Sequence, residues 1–505
     1  TQASTSALNL STLAGTGTTS GNIVLGGANN IGTLGALTAT GNINLQDNAI
    51  LNVKGAVSAA MITLSAAGLD LASQISASSL SVLDSSGSLN QSGGKLTVGT
   101  LSGSIANNAS LNSTQNSIGT LANFTVGGTL NLTDRTALTL NGDITAKDTL
   151  AGALDLTSSG SLSQSGTLSG ISISLSGTNL ALDGTANATT LTLDATSSVS
   201  QAGTGVLSVA TLSSNTTASG AILLGGTANA IGTLGSLAAG QNILIADAQT
   251  GAITAPISAG IALTLQGAGY AETGTGAIAA QTLTTGAGSL SGGLALSGSN
   301  TIGTLGALLA GGNVQLADTS PLAIAGLVST PGTLTLTGNG AVNETAGGVL
   351  SLGGFGSGTG SIGGAVSFTN ANSIGTLGAL TATGNIVIDD AGTMTLGEAV
   401  SAGTSLALAA NGLVAGGGSL SAGTIALAPY DNGTIDLGGT AITGLQISQS
   451  LVNELDPAAV VVLGSAAGHA ASSILTEGAV SFANALAALD STGGITQTGT
   501  LTGAV

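Results

Sequence analysis

The sequence predicts an all-β fold, a right-handed parallel β-helix of about 20 residues per coil and roughly 25 coils. Three observations predict it: one stretch recurs along the chain, short apolar triplets recur at a spacing near 20, and charged side chains are scarce.

The recurring stretch reads NNIGTLGALTATGNINLQD from Asn29 to Asp47, NAIGTLGSLAAGQNILIAD from Asn229 to Asp247, NTIGTLGALLAGGNVQLAD from Asn300 to Asp318 and NSIGTLGALTATGNIVIDD from Asn372 to Asp390. A diverged copy runs from Asn116 to Asp134. The copies are unevenly spaced, so they are assembled from a smaller unit. That unit shows in the apolar–x–apolar triplets. Ile23/Leu25, Ile43/Leu45 and Ile62/Leu64 step by 20 and 19, and Leu294/Leu296, Val314/Leu316 and Leu334/Leu336 step by 20 and 20.

Within each triplet the apolar residues alternate with Thr, Ser, Asn or Asp, the period of a strand with one buried face. Gly, Asn, Ser and Asp fill the gaps and form turns. A unit this small has no core of its own and must bury its apolar face against the next copy. Stacked coils at ~4.8 Å each give an expected rod of roughly 120 Å, one continuous body over residues 1–505. Leu64, Leu175, Leu265, Leu336 and Leu408 are expected to point inward. Asn22 and Asn42, 20 residues apart in the same GNI context, are expected to form part of an Asn ladder. Residues 446–473 break the pattern. There Ile447, Leu451 and Leu455 have helical spacing, which predicts a short helical insertion.

Composition fits stacking. The chain has 83 Gly, 5 Pro, no Cys, 4 basic and 22 acidic residues and a formal charge of −18; like charges stacked a coil apart would repel. Hydrophobic residues make up 42%, which excludes disorder. No apolar run is long enough for a membrane span, and four basic residues do not neutralise a phosphate backbone, so nucleic acid is excluded as a partner. The absence of Cys removes disulfides and thiolate metal sites.

GGANNIGTLGALTATGNINL (26–45), FTNANSIGTLGALTATGNIVI (368–388) and GTIDLGGTAITGLQISQSLVNELDPAAVVVLGS (433–465) resemble the repeats of filamentous-haemagglutinin-like exoproteins, the large adhesins of bacterial two-partner secretion. The resemblance covers most of Gly21 to Ile474 and speaks to architecture rather than activity. It implies a secreted right-handed β-helical fibre at the cell surface, exported by an outer-membrane secretion partner and serving adhesion or a biofilm matrix. The other partners expected are further coils or subunits of its own kind and host or surface glycans. The secretion domain of that group is not recognisable before Ser20 and is expected upstream. The coil pattern runs close to both ends, Ala7 to Leu13 and Gly494 to Val505, so the chain is expected to belong to something longer: one giant polypeptide, or subunits joined head to tail.

No catalytic, cofactor-binding or metal-binding residue is assigned. The Asp residues closing the repeats, Asp47, Asp134, Asp247, Asp318 and Asp389/Asp390, lie several coils apart and are read as turn caps rather than calcium ligands. Asp431, Asp436, Glu454 and Asp456 form the densest acidic region, near the single His469. Paired carboxylates suit glycoside hydrolysis, and a β-helical passenger carrying a polysaccharide-directed activity is the alternative reading. Against it stand the lack of a nearby Arg or Lys and of Trp. Glu454 and Asp456 are read as solvating the insertion, and His469, in GSAAGHAASS, as an exposed turn residue. Gly353 to Gly358 lacks the Lys of a phosphate loop. The Thr333, Thr335 and Thr337 array stops at Asn313, Gln315 and Ala317, too short for a crystal-binding face.

Overall fold

In the computed structural model the described residues are 1–3, 5–439 and 444–504. They fall into two compact units, Thr1–Gln249 and Thr250–Val505. Both are right-handed parallel β-solenoids with coils of roughly 20 residues.

The register follows the triplets. In the first unit Ile23, Ile43 and Ile62 lie one above another, as do Leu25, Leu45 and Leu64. In the second, Leu294, Val314 and Leu334 form one column, and Leu296, Leu316 and Leu336 the next. Leu64, Leu175, Leu265, Leu336 and Leu408 are all buried. Each such side chain contributes roughly 1.5–3 kcal/mol by leaving water, so the core is a stack of apolar columns. Phe355 and Phe368 meet edge to face in it, ring centres 5.0 Å apart.

Recurring residues are explained by the close approach of successive coils. Ile and Leu of IGTLG are buried in every copy, while the Gly between them lies against the preceding coil's backbone. A Cβ at Gly119, Gly232 or Gly375 would meet a carbonyl oxygen at 2.9, 3.0 or 2.8 Å, tighter than ordinary packing allows.

Asn22 and Asn42 differ from an amide ladder. The Asn22 side chain accepts a hydrogen bond from the Asn42 backbone N–H at 2.8 Å. Asn123 does the same for Asp143, Asn313 for Thr333 and Asn411 for Asp431, at 2.9, 3.0 and 3.0 Å. The Asn side chain caps the coil above instead of stacking on another amide, because the turn leaves that N–H without a strand partner.

Thr424–Ala428 pairs directly with Val460–Leu463, Thr424 opposite Val460, so the chain between makes an excursion. It holds the strands Thr434–Leu437 and Leu445–Ile447 and a short helix, Gln449–Val452, whose N-cap Ser448 accepts from the Leu451 N–H. Beyond it Ser465–Ala466 and His469–Ala470 form an antiparallel hairpin. Its turn places Ala467 and Gly468 at φ 55° and 88°, the left-handed values of a two-residue hairpin loop. Among the described residues no helix is long and apolar enough to cross a membrane.

Candidate functional site

Buried polar residues recur at the corner where each recurring stretch begins and ends. Asn29, Asn116, Asn229, Asn300 and Asn372 are buried, as are Asp47, Asp134, Asp247, Asp318 and Asp390. In each copy the Asp carboxylate accepts from the N–H of the repeat's Ile one coil below: Ile31, Ile118 and Ile231 at 3.0, 2.8 and 3.1 Å, Ile302 and Ile374 at 3.2 and 3.3 Å. It also closes its own turn by accepting from the N–H two residues on, as at Thr136, Gln249 and Gly392. The Asp residues are therefore turn caps that also tie adjacent coils.

The Asn completes the knot. Its Nδ2 donates to the carbonyl before the Asp, at 2.9 Å to Gln46 and 3.1 Å to Thr133, Ala246, Ala317 and Asp389. Its Oδ1 accepts from a backbone N–H of the coil below, Leu8, Leu96 and Leu207 at 2.9 Å, Ile278 at 2.6 Å and Leu350 at 2.8 Å. One side chain thus joins three coils. Burial pushes the carboxyls of Asp47, Asp247, Asp318 and Asp390 above their ordinary value, with the donated N–H groups pulling back.

A third member comes from the preceding coil. Gln2, Gln91 and Gln201 pair amide to amide with Asn29, Asn116 and Asn229, and Glu272 and Glu344 take that place against Asn300 and Asn372. Sequence reasoning missed these five. For four of them, Gln91, Gln201, Glu272 and Glu344, the signal is an apolar–x–Gln/Glu triplet, LNQ, VSQ, YAE and VNE, in which an inward position is polar. The partner lies 25 to 28 residues on, so only the coil register joins them.

His469 differs from the sequence reading. It is half-buried, its Nε2 lies 3.3 Å from Oδ2 of buried Asp389, and its ring packs on Tyr430 with centres 4.8 Å apart. The hairpin folds it back over the coil surface, a contact spanning 80 residues that no local pattern reveals. Burial raises the Asp389 carboxyl above its ordinary value and His469 partly offsets this.

The acidic region is dispersed. Asp436 is buried on Thr434–Leu437. Glu454 is not solvated: it is buried, and its Oε1 accepts from the Gly417 N–H at 2.7 Å, because the helix carries it down onto the coil corner. Half-buried Asp456 accepts from Ala458 N–H and the Ser421 hydroxyl, which hold its carboxyl below the ordinary value. Among the described residues no three His, Cys, Asp or Glu side chains gather to hold a metal ion.

One open groove of about 490 Å³ crosses the second unit. Gly354 and Gly356 lie in register with Thr333 and Thr335, and Gly354 with Thr376 on the other side, so one coil lacks outward side chains between a threonine pair and a single threonine. The Thr array therefore ends at glycine on that side.

No family model, curated protein or solved structure matches this chain, and what it is similar to is a matter of fold: a β-solenoid of the kind repeat and filament proteins use.

Proposed function

We propose that the chain is a structural and adhesive segment of a large secreted bacterial surface protein or extracellular fibre, in which the solenoid acts as a stiff scaffold. The observation that carries this is the use of the buried polar groups: all five Asn–Asp knots bind backbone of neighbouring coils, so the chemistry inside the chain serves cohesion. The resemblance of the IGTLG stretches to filamentous-haemagglutinin-like repeats supports the finer reading: a cell-surface adhesin exported through an outer-membrane partner, continuing into further coils of its own kind and meeting surface glycans.

The test is an in-frame deletion of this segment in the source cell, with immunogold labelling of the parent using antibody to residues 1–505. Label on the cell surface or on extracellular fibres, and reduced attachment of the deletion strain to glycan-coated surfaces, are expected. Label confined to the cell interior overturns the localisation, and unchanged attachment overturns the adhesive role.

A further inference from the structure

The Glu-containing knots differ from the Gln-containing ones by one hydrogen-bond donor. In the first unit each Gln uses both ends of its amide. Gln201 Oε1 accepts from Asn229 Nδ2 and the Gly226 N–H, both at 2.9 Å, and its Nε2 donates to Asn229 Oδ1 at 2.8 Å. Gln2 and Gln91 repeat this with Asn29 and Gly27 and with Asn116 and Ser113.

In the second unit Glu272 Oε2 takes the place of the Gln oxygen, accepting from Asn300 Nδ2 at 3.1 Å and the Gly298 N–H at 2.6 Å. Glu344 Oε2 does the same with Asn372 Nδ2 at 3.2 Å and the Asn370 N–H at 3.0 Å. The other carboxyl oxygen, Oε1, then stands where Gln carries its NH₂. In both residues that oxygen is buried and has no hydrogen-bond partner. An ionised carboxylate would set a bare, buried acceptor on the side of the acceptor Oδ1 of the Asn. A carboxylic acid would donate there and reproduce the Gln pair.

We propose that Glu272 and Glu344 are proton-binding sites: each holds a proton on Oε1 that it donates to the facing Asn, and the second unit loosens at these two corners when the protons leave. The surrounding charges agree. All four basic residues of the chain, Lys54, Lys95, Arg135 and Lys147, precede this unit, whose one ionisable cation is His469. Beyond Asn300 the next acid is Asp318, which is occupied with the Ile302 N–H. Glu344 faces the negative field of Asp389, which His469 neutralises in part, and Asp390 follows on the same strand. Burial raises both glutamic acids above their ordinary value, with the hydrogen bonds they accept pulling back.

The test compares the 505-residue chain with E272Q/E344Q by thermal melting from pH 4.5 to 8.5. The double variant should melt above the parent at pH 8.5, by about 2–4 °C for each kcal/mol regained, and the gap should close at pH 4.5. Introducing the acid into the first unit, Q201E, should import a loss that grows with pH. Infrared difference spectra of ¹³C-Glu-labelled protein should show a protonated glutamic acid at neutral pH that E272Q/E344Q lacks. A gap that is independent of pH, failure of E272Q/E344Q to fold, or absence of the protonated band overturns the proposal. So does a parent stability at pH 8.5 that rises with added calcium or potassium more than that of the double variant, which would put a cation where the proton is assigned.

Discussion

Leu175 loses all solvent contact in the first unit, and Leu175→Ala should lower unfolding free energy by about 2–5 kcal/mol; chemical denaturation with unchanged m-value checks it. Asn229→Ala removes a side chain that serves Leu207 N–H, Ala246 C=O and both ends of Gln201. Buried groups left without partners cost about 1–3 kcal/mol each, so this smaller truncation should destabilise at least as much as the leucine. The leucine was legible because its triplet alternates. The role of Asn229 was not, since the same letter occupies exposed turns such as Asn22, and only the register decides which Asn is enclosed.

At the scale of the coil, backbone spacing decides what is tolerated. Gly232→Val sets a branched side chain where even a Cβ would lie 3.0 Å from the Ala210 carbonyl, and should cost about 1–3 kcal/mol. A side chain at Gly26 meets open space, so Gly26→Ala should leave the melting point nearly unchanged; the pair measured side by side tests whether inter-coil approach is the cause. Period and turn residues made the coils legible. The hairpin carrying His469 was not, because Ala467 and Gly468 fix a two-residue turn in a stretch whose composition reads as plain loop, and its docking on Asp389 comes from a coil 80 residues earlier.

For the whole molecule, acidity sets the stability profile. Asp47, Asp155, Asp247, Glu272, Asp318, Glu344, Asp389 and Asp390 all hold their protons more tightly folded than free, chiefly through burial. Folding therefore takes up protons, so stability is greatest at the mildly acid end and falls as pH rises from about 4 through the raised values. Asp456 acts in the opposite sense, as one group against eight. Melting points should decline as pH rises from about 4, and EDTA should leave them unchanged, because the carboxylates are engaged by backbone N–H groups.

The central claim is that equivalent residues sit one coil of about 20 residues apart in parallel register, and the lack of native cysteine lets one measurement address it. Gln315 and Thr335 are Cα partners on neighbouring coils, both on the outward face, within the span a disulfide bridges. The double variant Gln315→Cys/Thr335→Cys should oxidise nearly completely within the monomer under mild conditions, while Gln315→Cys/Leu336→Cys, whose second residue points into the core, should remain reduced. Cross-linking of the second pair and not the first would contradict the register, and with it the solenoid on which the account of structure and function rests.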